Sequence, residues 1–292
     1  MEYITIYLST CDKTSYILPA TIFLYKHFIT TFKPKFKILG FSKPNLPDWE
    51  NVDFICLSDK PQNISKWSLY LYDYFKTIKE ENIFFALDDF FPIHYFNKYA
   101  YDYVIDYMKQ NKNVGFCTVG LCPSADVNRN EMESIINETE NMFIYRRKKP
   151  INYQVTLQPG IWNREYFCKL FNNNFTPWEM ELTCTNIANR DKQYYNISSS
   201  ISEYNNQKCI MVFATCSSIS SKWNGISVLG LQHELILKLI DNNLLPKDNL
   251  LVGAWNNYIL FDYNKKVTKE EFYDFCKLRK LKWFEMYSNY YD

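Results

Sequence analysis

Residues 82–92 read NIFFALDDFFP, and no other stretch constrains the fold as tightly. The run from Ile83 to Leu87 is apolar at every position and too short for an independent helix, so it reads as a strand with two apolar faces. A strand of that kind belongs inside a parallel sheet covered by helices on both sides. Asp88 and Asp89 then fall at its C-terminal end, the edge outside which open α/β sheets bind their ligands. Two adjacent carboxylates repel each other and are costly to bury unpaired. They must therefore face solvent at the rim of the sheet or meet something positive.

The flanking segments agree with an α/β class. Strands are expected at 3–9 (YITIYLS), 35–42, 52–59 and 114–120, alternating with helical periodicity at 15–32, 65–80 and 93–111. Ser15 is a candidate N-cap for the first helix, and Pro19 falls in its first turns, where proline is tolerated. The second half is less regular. Residues 121–141 are polar and read as a surface loop with a short helix. Strands follow at 142–149 and 153–162, then a short helix at 163–171. Thr176-Pro177 supplies a cap and an N1 proline for a helix that carries Glu179 and Glu181. A strand at 208–218 and helices at 230–244 and 268–287 complete the chain, the last ending in a basic cluster. Without a repeat, low-complexity tract or long linker, one continuous domain over 1–292 is expected.

Composition removes several classes of function. The formal net charge is +1 over 292 residues, which gives no electrostatic basis for nucleic-acid binding. The nine cysteines form no C-x-x-C pair and read as buried thiols of a reducing compartment. The N-terminal stretch lacks a basic segment followed by an apolar core, and no apolar run approaches the ~18–20 residues of a membrane span. A soluble, cytoplasmic protein is the expectation. The aromatic content of 18% is spread along the whole chain and reads as compositional drift accompanying abundant Asn, Lys and Ile.

Paired carboxylates at a strand end are one way to hold a hard divalent cation, which takes one or two carboxylates and completes its shell with phosphate oxygens. A solvated strand end is the other reading. Likewise Ser9, Thr10 and Asp12, which follow the first strand, make either a nucleotide-binding turn or an ordinary βα turn. Lys66 and Trp67 lie where they reach the same crevice, with Trp67 equally suited to the core.

The segments STCDK, SKWSLYLYDYF, FFALDDFFP, VTLQPGIWNREYF and FTPWEMEL occur in the order found in nucleotide-sugar glycosyltransferases of the GT-A fold, which residues 1–190 resemble. The resemblance implies a GT-A-like α/β domain whose mainly parallel central sheet is flanked by helices. Residues 1–120 form its nucleotide-sugar half and 121–292 its acceptor half. It implies Mn²⁺ or Mg²⁺ on the donor diphosphate, held by the Asp88 and Asp89 motif, with Asp89 the chief ligand and Asp88 nearer the ribose, and His233 as a further metal ligand. Position 87 is Leu, so the family's Asp-x-Asp is here an adjacent pair. Ser9, Thr10, Asp12, Lys66 and Trp67 would bind the donor, a UDP-, GDP- or dTDP-sugar. Gln158, Trp162 and Trp178 would line the side of a glycan or glycoconjugate acceptor. An inverting transferase needs a general base. Residues i and i+2 of a helix point in different directions, so one of Glu179 and Glu181 faces the site; Glu179 is expected there, with Glu181 in reserve. The ordinary reading of both is that they favour a helix N-terminus. The alternatives are a non-catalytic glycan- or partner-binding protein of the same fold, and a sugar nucleotidyltransferase. The latter is disfavoured because STCDK has no glycine with which to cradle phosphates.

Overall fold

The computed structural model describes residues 2–46, 49–59, 63–93, 95–118, 120–121, 132–138, 142–201, 213–217, 219–220, 225–228, 231–252 and 259–260. In chain order the elements are β1 (Tyr3–Ser9), α1 (Leu18–Phe28), β2 (Lys33–Gly40), β3 (Val52–Cys56), α2 (Trp67–Phe75), β4 (Asn82–Leu87), β5 (Phe90–Pro92), α3 (Lys98–Gln110), β6 (Val114–Thr118), β7 (Gly120–Leu121), β8 (Met132–Glu138) and β9 (Met142–Arg147). They continue with β10 (Gly160–Asn163), α4 (Arg164–Phe171), α5 (Pro177–Arg190), β11 (Tyr195–Ile201), β12 (Phe213–Ser217), β13 (Ile219–Ser220), β14 (Gly225–Ser227), α6 (His233–Asp241), β15 (Leu250–Val252) and β16 (Ile259–Leu260).

The α/β class is the one expected. The main sheet has the order β3-β2-β1-β4-β10-β6-β11-β9-β8. β1 to β4 are mutually parallel, and β10 runs antiparallel between β4 and β6. β6 and β11 resume the common direction, and β9 reverses it again. β4 sits beside β1 with Ile6 opposite Phe84 and Leu8 opposite Ala86. Its two apolar faces feed two separate cores. Phe84 and Ala86 pack with Ile22 and Tyr25 of α1 and Val104 and Met108 of α3. Ile83 and Phe85 pack with Leu71 of α2, Phe167 of α4 and Met180 of α5. The doubly apolar run is thus satisfied by helices on both faces.

The second core is aromatic and very close-packed around β10. Trp162 lies on Phe116 with ring centroids 4.2 Å apart and meets Phe167 edge-on at 5.4 Å. Gly160 makes this approach possible: a Cβ there would lie 2.1 Å from Phe116 Cε2 and 3.1 Å from the Cys117 carbonyl oxygen. Gly160→Ala is therefore expected to destabilise the chain by about 1–3 kcal/mol through overpacking, measured as a lower urea midpoint at unchanged m.

Several expected elements differ, each for a local reason. The helix expected at 15–32 starts with a 3₁₀ turn over Ser15–Ile17 and ends at Phe28. Ser15 does not cap it; its hydroxyl donates to the Asp12 carbonyl oxygen at 3.2 Å. α2 stops at Phe75, five residues short of the periodic segment. In the 93–111 segment α3 begins only at Lys98, capped by Asn97, whose side chain accepts from the Ala100 N–H. Residues 132–138 form a strand paired with β9 and not a helix. Within 153–162 only Gly160–Trp162 belong to a strand, and the segment before them crosses as an irregular strap. The helix expected at 268–287 lies outside the described residues. No helix among the described residues is long and apolar enough to cross a membrane.

Candidate active site

β4 delivers Asp88 against the loop that follows β1. The Asp88 N–H donates to the Ser9 carbonyl at 3.0 Å, continuing the β1–β4 pairing by one residue. The Asp88 carbonyl accepts from the Thr21 hydroxyl of α1 at 2.7 Å. Its carboxylate Oδ2 accepts two more hydroxyls, Thr10 Oγ1 at 2.5 Å and Thr14 Oγ1 at 2.7 Å. Asp88 is buried, and burial together with the adjacent Asp89 pushes its carboxyl up to about 7 against the pull of the two hydroxyls. The other side of the loop is tied to the end of β2. Thr10 N–H donates to the Leu39 carbonyl, and the Asp12 carboxylate accepts from the Ser42 N–H and hydroxyl at 3.1 and 3.0 Å. Ser9, Thr10 and Asp12 are thus held at the C-terminal edge of the sheet beside Asp88.

Asp89 is half-buried one residue further on. Burial pushes its carboxyl up to about 6, and the negative charge of Glu181 acts in the same direction. α5 therefore brings Glu181 within electrostatic reach of Asp89. Glu179, expected as the base, is engaged elsewhere. Its carboxylate accepts from the Thr176 N–H at 2.9 Å while Thr176 Oγ1 accepts from the Glu179 N–H at 3.2 Å, a closed capping box. These bonds hold its carboxyl below the usual range on an exposed helix end. Glu181 is half-buried, and Oε1 accepts from the Leu157 N–H at 2.7 Å and the Thr156 hydroxyl at 3.2 Å. Burial nevertheless pushes its carboxyl upward.

The remaining expected residues divide by exposure. Trp67 is buried against Phe171, and its indole N–H donates to Ser9 Oγ at 3.2 Å, so it braces the end of β1 from inside the core. Trp162 is fully buried among Phe116, Phe167 and Phe171 and presents no surface to an acceptor. Lys66 is exposed at the end of a 3₁₀ turn over Ile64–Lys66. Gln158 is half-buried at the end of the strap, its N–H donating to Thr156 Oγ1 at 3.2 Å. Trp178 is 71% exposed on the first turn of α5. His233 opens α6, and its side chain lies outside what is described. Sequence reasoning missed Thr14, Thr21 and Thr156; the signal for the first was the hydroxyl pair in TCDKT, whose second threonine lies five residues past the strand end at Ser9.

Among the described residues no group of three or more His, Cys, Asp and Glu side chains converges as a self-sufficient metal cage. The donor set fits a more open kind of site. Oδ2 of Asp88 is already taken by two hydroxyls, so a cation held here would take most of its shell from oxygens outside the protein, as Mg²⁺ commonly allows.

No protein-family model and no curated protein sequence matches the chain. Among the solved structures to which it is similar are glycosyltransferases. One is the mannosyltransferase PcManGT from Pyrobaculum calidifontis in complex with GDP-Man and Mn²⁺, with a TM-score of 0.47 and 8% identity over 75% of this chain and 58% of that one. Another is S. aureus TarS 1–349, with a TM-score of 0.39 and 12% identity over 67% of this chain and 60% of that one. A third is the galactosyltransferase LgtC in complex with donor and acceptor sugar analogues, with a TM-score of 0.33 and 10% identity over 57% of this chain and 60% of that one. The chain thus spans about three-fifths of the length of these structures.

Proposed function

We propose that the protein is a glycosyltransferase that moves a sugar from a nucleoside-diphosphate sugar to a hydroxyl of a glycan or glycoconjugate, with inversion. The observation that carries this reading is the convergence at one sheet edge of a hydroxyl-lined loop, the Asp88–Asp89 pair and the oriented carboxylate of Glu181. The loop from Ser9 to Thr14 holds the nucleoside, with Asp88 locking its shape. Asp89 would hold a divalent cation, which when bound offsets the charge on the departing diphosphate. Glu181 takes the proton of the acceptor hydroxyl as that oxygen bonds to the anomeric carbon. The bond from that carbon to the diphosphate breaks, and its electron pair leaves with the phosphate oxygen. Glu181 suits this role better than Glu179, whose carboxylate is committed to the helix cap. The exposed ring of Trp178 offers a face on which an acceptor sugar stacks.

The test is a thermal-shift and calorimetry panel of UDP-, GDP- and dTDP-sugars with and without Mn²⁺, on the wild type and on Asp89→Ala. One nucleotide class should raise the melting temperature only with metal, by the equivalent of about 2.7 kcal/mol at a hundred times Kd, and Asp89→Ala should abolish the rise. No response to any donor with metal present sinks the donor site and leaves a non-catalytic binding protein.

A further inference from the structure

The strap from Ile151 to Gln158 crosses between α5 and the sheet without pairing as a strand, and side chains supply the bonds that a ladder would. Three of them stand four residues apart on α5. At one end Asn189 makes a two-bond clamp on Ile151, its Oδ1 accepting from the Ile151 N–H at 3.1 Å and its Nδ2 donating to the Ile151 carbonyl at 2.9 Å. In the middle the Thr185 hydroxyl does the same for Val155, accepting from its N–H at 3.1 Å and donating to its carbonyl at 3.2 Å. At the far end Glu181 Oε1 receives the Leu157 N–H. From the opposite side Asn196 of β11 donates to the Gln154 carbonyl at 2.7 Å.

Residues at i, i+4 and i+8 of a helix share one face, drifting about 40° per step. The strap follows this face in the reverse direction, so residues 151, 155 and 157 meet 189, 185 and 181 in turn. Both bonds to Glu181 end on Oε1, and Oε2 bonds to none of the described residues. The register of the strap therefore decides where the open oxygen of Glu181 points.

We propose that Thr185 and Asn189 are positioning residues for the transfer step, acting through the strap to orient the Glu181 carboxylate. The inference rests on the reading of Glu181 as the base. A shift of the strap by a fraction of an ångström turns Oε2 away from the acceptor hydroxyl, and misplacements of about 1 Å cost rates up to ~10²-fold.

The experiment compares Thr185→Val, Thr185→Ser and Asn189→Leu with the wild type, well below their melting temperatures. Thr185→Val preserves shape and removes the hydroxyl. It should lower kcat about tenfold or more at unchanged donor KM, and Thr185→Ser should restore most of it. Asn189→Leu, one clamp further from Glu181, should cost less kcat than Thr185→Val whatever its effect on melting. Amide exchange of Leu157 is read in parallel and should accelerate in Thr185→Val. A Thr185→Val enzyme with wild-type kcat overturns the proposal, even if it melts lower. If Glu181→Gln proves fully active, the base assignment fails separately. The exchange then still decides whether the stripe sets the strap: unchanged protection at Leu157 overturns that as well.

Discussion

Glu181→Gln is expected to fold, to bind donor like the wild type and to transfer sugar roughly 10²–10⁴-fold more slowly. The amide keeps an oxygen where Oε1 now accepts from the Leu157 N–H and the Thr156 hydroxyl, so the strap has no reason to move. What it loses is the capacity to take a proton. The acid limb of the pH profile of kcat/KM should disappear with it. In the wild type that limb should lie above the ordinary carboxylate range, because burial raises the Glu181 carboxyl. Glu179→Gln is the matched control. Glutamine also closes a capping box, and the side chain is exposed, so this variant should keep activity within a factor of about two. The opposite pattern, with Glu179→Gln inactive and Glu181→Gln active, would falsify the assignment of the base.

The two glutamates also show what is legible in the sequence. The partners of Glu179 are three residues away, and Thr176-Pro177-Trp178-Glu179 announces a capped helix start by itself. The partners of Glu181 are 24 and 25 residues away on the strap, and nothing local announces them. The strap itself reads as a strand because YQVTLQ alternates and is partly β-branched. That pattern requires only extended backbone with two different sides. Here Thr185 and Asn189 supply the ladder's bonds from a helix. NIFFAL is readable because a strand with two apolar faces has few places to go. Met132–Glu138 is not, because MESIINE shows no clear apolar alternation and its strand character comes from pairing with β9. The Asp pair is legible as a position at the sheet edge. The wrapping of Asp88 by the hydroxyls of Thr10, Thr14 and Thr21 is not, since these converge only when β1, α1 and β4 are assembled.

Asp88→Asn should separate stability from function. The unfolded chain titrates Asp88 near 3.8, whereas burial and Asp89 hold it at about 7 in the folded protein. Between those values the folded state keeps a proton that the unfolded state has released. The resulting stabilisation is complete below about 4 and is lost as pH rises through about 7. Asp89, raised to about 6, adds to the same trend. In chelator and without donor, the wild type should therefore melt progressively lower from pH 4 to pH 8. The substituted asparagine cannot ionise, yet its amide oxygen can still accept from Thr10 and Thr14. The variant should flatten most of that slope and, at pH 8, melt above the wild type. It should lose donor-induced stabilisation at the same pH, because the site then has one anionic carboxylate where it had two. This is the signature of a carboxylate kept for what it binds and not for what it stabilises. A wild-type melting temperature that does not change between pH 4 and 8, or an Asp88→Asn protein less stable than the wild type at pH 8, would show that the buried carboxyl is already satisfied by its hydroxyls and carries no strain for a ligand to relieve.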